Sequence, residues 1–273
     1  MQKTIFFTCL LLLACTSSFA EEWKLTWAEE FEKPGLANPT SWSYEVGKIR
    51  NHEAQYYTKA RKENALVEDG CLVITSRKEK YKGANYTSAS LHTKNKVHFL
   101  YGRIEVRAKI PTGRGMWPAI WMLGTNIGQV GWPECGEIDI LENVGYDPNI
   151  IHANVHSEAF NHTKGNGRGD KIEAEAPYKD FHIYAIEWHP DKIDFFFDQK
   201  KYFTVKDNGG GKPSWPFDAE HYLILNAAIG GSWGGKKGID DSIFPQQYKI
   251  DYVRVYKKVA GNDEIGSVRK IDK

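Results

Sequence analysis

Long apolar runs, net charge, paired cysteines and helical periodicity are all scarce in this chain of 273 residues. After Ala20 no apolar stretch approaches the roughly 20 residues that a bilayer-spanning helix needs, so a helical membrane protein is excluded. The earlier segment is different. Lys3, the apolar run Ile5 to Ala14 and the small residues ending Ser18-Phe19-Ala20 read as a secretory signal over residues 1–20. Leu12-Leu13-Ala14-Cys15 also fits a bacterial lipoprotein box, with Cys15 as a lipid anchor; export at the cell surface or beyond is expected either way. Of 4 cysteines, Cys9 and Cys15 fall in that segment. The remaining Cys71 and Cys135 make no disulfide framework and lack the paired spacing of a metal site. Export permits a bridge between them, but a domain of this size does not need one. Lysine plus arginine (36) balances aspartate plus glutamate (35), which leaves nucleic acid and anionic membranes without an electrostatic footprint. A neutral partner fits better.

What is present describes one globular domain. At 41% hydrophobic and 26% charged the chain can bury a large core, and no repeat, linker or shift in composition divides it. A single monomeric domain over residues 21–260 is expected, followed by a loose polar tail over 261–273. Short strands separated by turn residues run throughout, and no amphipathic stretch exceeds three helical turns. The clearest strands are 71–78, 102–109, 117–123 and 136–142, then 152–157, 181–188, 192–197, 201–205, 221–227 and 247–256. In 102–109, Ile104, Val106 and Ala108 alternate with Glu105, Arg107 and Lys109. The class is all-β, and the even spacing suggests a sandwich.

Glu137-Ile138-Asp139-Ile140-Leu141-Glu142 is the most informative stretch. Glu137 and Asp139 lie two apart and share one face of a strand, whereas Glu142 lies three further on and would face away. It rejoins them only if Ile140 or Leu141 sits in a β-bulge, a device that re-aims side chains near active sites. Three carboxyls so placed cannot all ionise cheaply, and like-charge repulsion should keep one protonated. A retaining glycosidase needs two carboxyls about 5 to 5.5 Å apart. Same-face glutamates with an effective spacing of four are roughly 13 Å apart at Cα, and long side chains leaning together can close most of that.

Other residues cluster around this run by pattern. His152, Asn154, His156 and Glu158 alternate with apolar residues, so a polar face should line a cleft; the two histidines stand too far apart along a strand to share an ion easily. Trp117 and Trp121, four apart, face the same way and could floor that cleft, though one could equally pack in the core. Trp132, on a Gly/Pro-flanked loop, and Trp233, in Gly230-Gly231-Ser232-Trp233-Gly234-Gly235, read as platforms for sugar rings. Asn85-Tyr86-Thr87 and Asn161-His162-Thr163 fit the glycosylation sequon, and Arg168-Gly169-Asp170 fits an adhesion tripeptide; all are short enough to arise by chance, and the tripeptide falls in a polar loop.

The carboxylate run resembles the signature of glycoside hydrolase family 16. Two residues between Asp139 and Glu142 look like the bulged, laminarinase-like branch. Tyr101 to Lys109, Gly115 to Leu123 and Leu225 to Gly231 also look like family segments. The resemblance implies a concanavalin-like β-jelly roll, two curved antiparallel sheets with a glycan in the concave cleft, and retaining hydrolysis. It implies Glu137 as nucleophile, Asp139 as the residue that orients it and Glu142 as acid/base, with His156 near the acid/base. Asn51, Glu53, Arg77 and Asn226 resemble positions that hydrogen-bond glycan hydroxyls. No cofactor is implied beyond an optional structural calcium, for which Asp251 is the matching residue. The expected activity is that of an endo-β-glucanase on β-1,3-glucan or mixed β-1,3/1,4-glucan. The alternatives are another neutral polysaccharide such as a galactan, or a non-catalytic carbohydrate-binding surface protein.

Overall fold

The computed structural model describes residues 22–260 and 263–271. The signal segment, with Cys15, lies outside them. Among the described residues the strands form two sheets, one of 11 strands and one of 9. Their apolar faces meet in a core that joins Ile104, Val106, Ile186 and Val253 of the larger sheet to Met116, Ile120, Ile138 and Leu223 of the smaller. Strand pairing is antiparallel save for Gln55–Tyr57 beside Ala84–Ser88. Among the described residues helix is confined to Ile127–Val130 and two short 3-10 turns, and none is long and apolar enough to cross a membrane.

The Gly102–Lys109 strand shows how the pattern becomes structure. Its burial alternates residue by residue, with Ile104, Val106 and Ala108 in the core and Arg103, Glu105, Arg107 and Lys109 outside. The smaller sheet departs from that rule at its centre. There the order is Arg168–Glu173, Ile150–His156, Glu137–Glu142, Met116–Gly124, His221–Ile229. Every residue of Met116–Gly124 is buried. Met116, Ile120 and Met122 face the core, while Trp117, Ala119, Trp121 and Leu123 lie on the outer face beneath loops. A strand covered on both sides reads as continuously apolar, and this one does.

The bulge falls where the spacing requires it. Ile120 pairs with Leu141 and Trp121 with Asp139, so Ile140 is the extra residue. On the other side Asp139 pairs with Asn154 and Glu142 with His152, three steps against two. Ile138, Ile140 and Leu141 all enter the core at 1% exposure or less. Burying each of two consecutive aliphatic side chains is worth roughly 1.5 to 3 kcal/mol, and that preference turns Glu142 back to the face of Glu137 and Asp139.

Two expectations are corrected. The tail is not loose: Asp263–Ile265 pairs with the end of Gln246–Ala260, and Ser267–Lys270 pairs with Val97–Leu100. Val268 packs against the core and Arg269 pairs with Glu220, which supplies the reason. Arg168-Gly169-Asp170 lies in the edge strand Arg168–Glu173, not in a loop. Asn161 is 1% exposed and caps a 3-10 turn by accepting from the amides of Thr163 and Lys164, so it is closed to glycosylation. Cys71 and Cys135 are free, the second fully buried.

Candidate active site

A cavity of about 770 Å³ opens on the outer face of the smaller sheet, and Glu137, Asp139 and Glu142 lie in its floor. Glu137 and Glu142 keep an edge open to it, whereas Asp139 is 2% exposed. At one end, Trp132 Nε1 donates to Glu137 Oε2 at 2.8 Å. His156 Nε2 stands 3.7 Å from Glu137 Oε1 and 3.3 Å from Asp139 Oδ2. At the other end both oxygens of Glu142 accept, Oε1 from Trp117 Nε1 at 3.0 Å and Oε2 from Asn154 Nδ2 at 3.1 Å.

Among the described residues no arginine or lysine pairs with these acids, and the consequence is electrostatic. Burial, then the charge of Asp139, pushes the Glu137 carboxyl up to about 8. Burial, then the charge of Glu137, pushes Glu142 up to about 7, against the N–H donors of Trp117 and Asn154. Asp139 is held well above the usual carboxylate range, by burial first and then by Glu142. Burial and mutual repulsion thus hold all three carboxyls above their ordinary range.

The other predicted residues mostly gather here. Asn51, Glu53, Trp117, Trp121, Trp132, His156, Asn226 and Trp233 all line the cavity. Trp233 packs edge-on against Trp117, with ring centroids 5.6 Å apart, and against His152 at 4.9 Å. Its glycine loop is dictated by the approach: a side chain at Gly234 would begin 2.8 Å from Trp117 Cβ, and Gly231 adopts φ +78° beside Glu53 and Trp117. Trp121 serves as support. Its Nε1 donates to Asn226 Oδ1 at 2.7 Å, Asn226 in turn donates to Tyr57, and the Arg50 guanidinium lies 4.8 Å from the ring. Glu53 is held by Gln55 at 2.6 Å.

Two expectations fail at this point. Arg77 is not in the cavity; it lies on Cys71–Tyr81, 3.6 Å from Glu79. Arg50, one residue before Asn51, is the arginine that lines it. His156 stands by Glu137, its partner across the sheet, and also acts electrostatically on Glu142, whose own register partner is His152. Asp251 does not fit a calcium, because Arg107 pairs with its carboxylate. Among the described residues the two clusters close enough to share a cation are Glu137, Asp139 and His156, the acid centre itself, and Glu187, His189 and Asp194. In the second, Glu187 is paired with Arg103 and Asp194 with Lys192. His162 was also missed; it lines the cavity 5.3 Å from Trp132 and 5.1 Å from His156.

Two carboxyls aimed from one strand into an aromatic-walled cleft on a β-sandwich define a glycoside hydrolase of polysaccharides. Comparison with known proteins gives the family. Residues 52–254 match the model of Glycosyl hydrolases family 16, and the chain belongs to that family. It is 46% identical over 260 residues to a beta-glucanase of Rhodothermus marinus, covering 92% of this chain and 91% of that protein. The structure resembles the laminarinase from Rhodothermus marinus with a TM-score of 0.85 at 46% identity, over 88% of this chain and 99% of that one. It also resembles SCLam, a non-specific endo-beta-1,3(4)-glucanase, with a TM-score of 0.83 at 40% identity over 88% and 99%. That structure presents a 1,3-beta-D-cellobiosyl-glucose at its active site.

Proposed function

We propose that the protein is an exported, monomeric endo-β-glucanase that hydrolyses internal linkages of laminarin-like or mixed β-1,3/1,4-glucan with retention of configuration. The observation that carries this is the Ile140 bulge, which puts Glu137 and Glu142 on one face of one strand, each with its own N–H donors. Glu137 is the nucleophile. Trp132 holds its Oε2, which leaves Oε1 to attack the anomeric carbon while Glu142 gives its proton to the departing glycosidic oxygen. Glu142, now a carboxylate held at both oxygens, takes a proton from the water that releases the glycosyl-enzyme. Asp139, between them on the same face, orients Glu137.

The relatives named β-glucanase, laminarinase and endo-β-1,3(4)-glucanase support the substrate class. No organic cofactor takes part. Export rests on the signal over residues 1–20, with Cys15 as the site of a lipid anchor. The test is Glu137→Gln assayed on laminarin and barley glucan. Release of reducing ends should vanish while binding persists in affinity electrophoresis, and wild-type protein that binds both glucans and cleaves neither would sink the proposal.

A further inference from the structure

The tripeptide Arg168-Gly169-Asp170 takes no part in the mechanism above, yet its glycine reaches the acid cluster through one side chain. Gly169 pairs with Asn154 across the sheet edge. A Cβ at Gly169 would sit 2.0 Å from Asn154 Oδ1 and 2.6 Å from the backbone oxygen of Ala153. The glycine is required for space. With nothing standing there, the Asn154 amide lies over the edge strand, its Oδ1 above Gly169 and its Nδ2 turned to Glu142 Oε2 at 3.1 Å. Asn154 is also opposite Asp139 in the register, so one residue of the Ile150–His156 strand spans the bulge.

We propose that Asn154 is a positioning residue that orients Glu142 and sets how tightly it holds its proton, and that Gly169 is the vacancy in the edge strand that lets it do so. The inference rests on Glu142 acting as acid/base. Such a group must be an acid in one step and a base in the next, so opposed influences have to balance on it. Burial and Glu137 favour the acid; the two N–H donors favour the carboxylate. The titratable groups that act on it are Glu137 and Asp139 from its own strand and His156 from the neighbouring strand, where His152 is its register partner; Arg50, Glu53, His162 and Lys236 line other parts of the cavity. The tryptophan strand presents Trp117 and Ala119, without charge. Asn154 is thus one of only two neutral donors on Glu142 among the described residues, and it can be changed without adding or removing a charge.

The experiment is the pH profile of kcat/KM on laminarin for wild type, Asn154→Ala, Asn154→Asp and Gly169→Ala. Losing a donor destabilises the carboxylate, so the alkaline limb of Asn154→Ala should move up by about one pH unit. Its kcat should fall about tenfold with KM within about twofold, because only the reacting group is disturbed. Asn154→Asp replaces the donor by a like charge and should move the limb further. Gly169→Ala should reproduce the Asn154→Ala shift although Asn154 is intact, and should add no shift in an Asn154→Ala background. A folded Asn154→Ala with an unmoved limb overturns the role of Asn154. An additional shift from Gly169→Ala in the Asn154→Ala background overturns the role of Gly169. If Gly169→Ala loses its cooperative melting, the two Asn154 variants decide the main point. Wild type cleaving no glucan, or Glu142→Gln at full activity, would instead remove the acid/base assignment itself.

Discussion

The Gly102–Lys109 strand of one sheet and the Glu137–Glu142 strand of the other both set charged residues opposite apolar ones, and their charges meet different fates. On the first, Arg103 donates to Glu105 at 2.7 Å and to Glu187 at 2.8 Å, and Arg107 pairs with Asp251. Each acid there has a cation. On the second, three acids share a buried floor with only His156 nearby, and all three hold protons more tightly than free carboxyls do. Paired charges serve the fold. Unpaired ones oppose it and are kept in place by Ile138, Ile140 and Leu141 in the core behind them, which is the arrangement expected of groups retained for chemistry.

The comparison breaks most sharply under amide substitution. Glu137→Gln should lower kcat on laminarin by about 10⁴-fold or more, and Glu142→Gln by about 10² to 10⁴, whereas Glu105→Gln should stay within about twofold. Comparable losses at Glu105 and Glu142 would erase the distinction. A stability measurement sharpens it, and the sign follows from linkage. Glu142 has its carboxyl raised from 4.5 to about 7, so its unfavourable contribution is absent below the unfolded value and grows as pH rises through the folded one. Glu142→Gln should therefore be more stable than wild type by about 1 to 2 kcal/mol near pH 9, with the gain gone near pH 4. Arg103→Ala, by contrast, should lose about 1 to 2 kcal/mol at either pH. Urea unfolding of the three proteins at the two pH values checks both, and a gain for Glu142→Gln that does not depend on pH would refute the electrostatic account.

Smaller effects probe the Glu137 end. Trp132→Phe removes the N–H on Oε2, which should raise the carboxyl of the nucleophile and move the acid limb of kcat/KM up by about half a pH unit. The smallest contrast is between the arginines. Arg50→Ala should raise KM for laminarin several-fold, and Arg77→Ala, on a strand outside the cavity, should change neither constant by more than about twofold. Equal KM effects would return Arg77 to the glycan.

Much of this was legible because it is periodic. Alternation located Gly102–Lys109 to the residue, and a single odd interval located the bulge. The acid cluster follows from the same arithmetic. Arg50 and His162 carried no such signal, since one stands in a loop and the other in a short 3-10 turn, and both reach the cleft only through tertiary folding. That His156 stands across from Glu137 as well as near Glu142 was not legible, because cross-strand register is not written within one strand; it emerges when Glu137 pairs with His156. The tail looked loose because its charges hide one useful apolar residue, Val268. Asp251 failed as a calcium ligand for a related reason, its partner Arg107 being 144 positions away in sequence.

That tail closes an edge. Val97–Leu100 meets His221–Ile229 through a single pair, His221 with Phe99, and its other side is taken by Ser267–Lys270. Ending the chain at Ala260 would strip that side and leave a row of free amides and carbonyls beside the buried Phe99. Such a row is a template for another copy of the same strand, so the shortened protein should self-associate on concentration, with light scattering rising well before activity per molecule declines. The last residues thus act as a guard against wrong partners, a task separate from catalysis and paid in lysine and arginine.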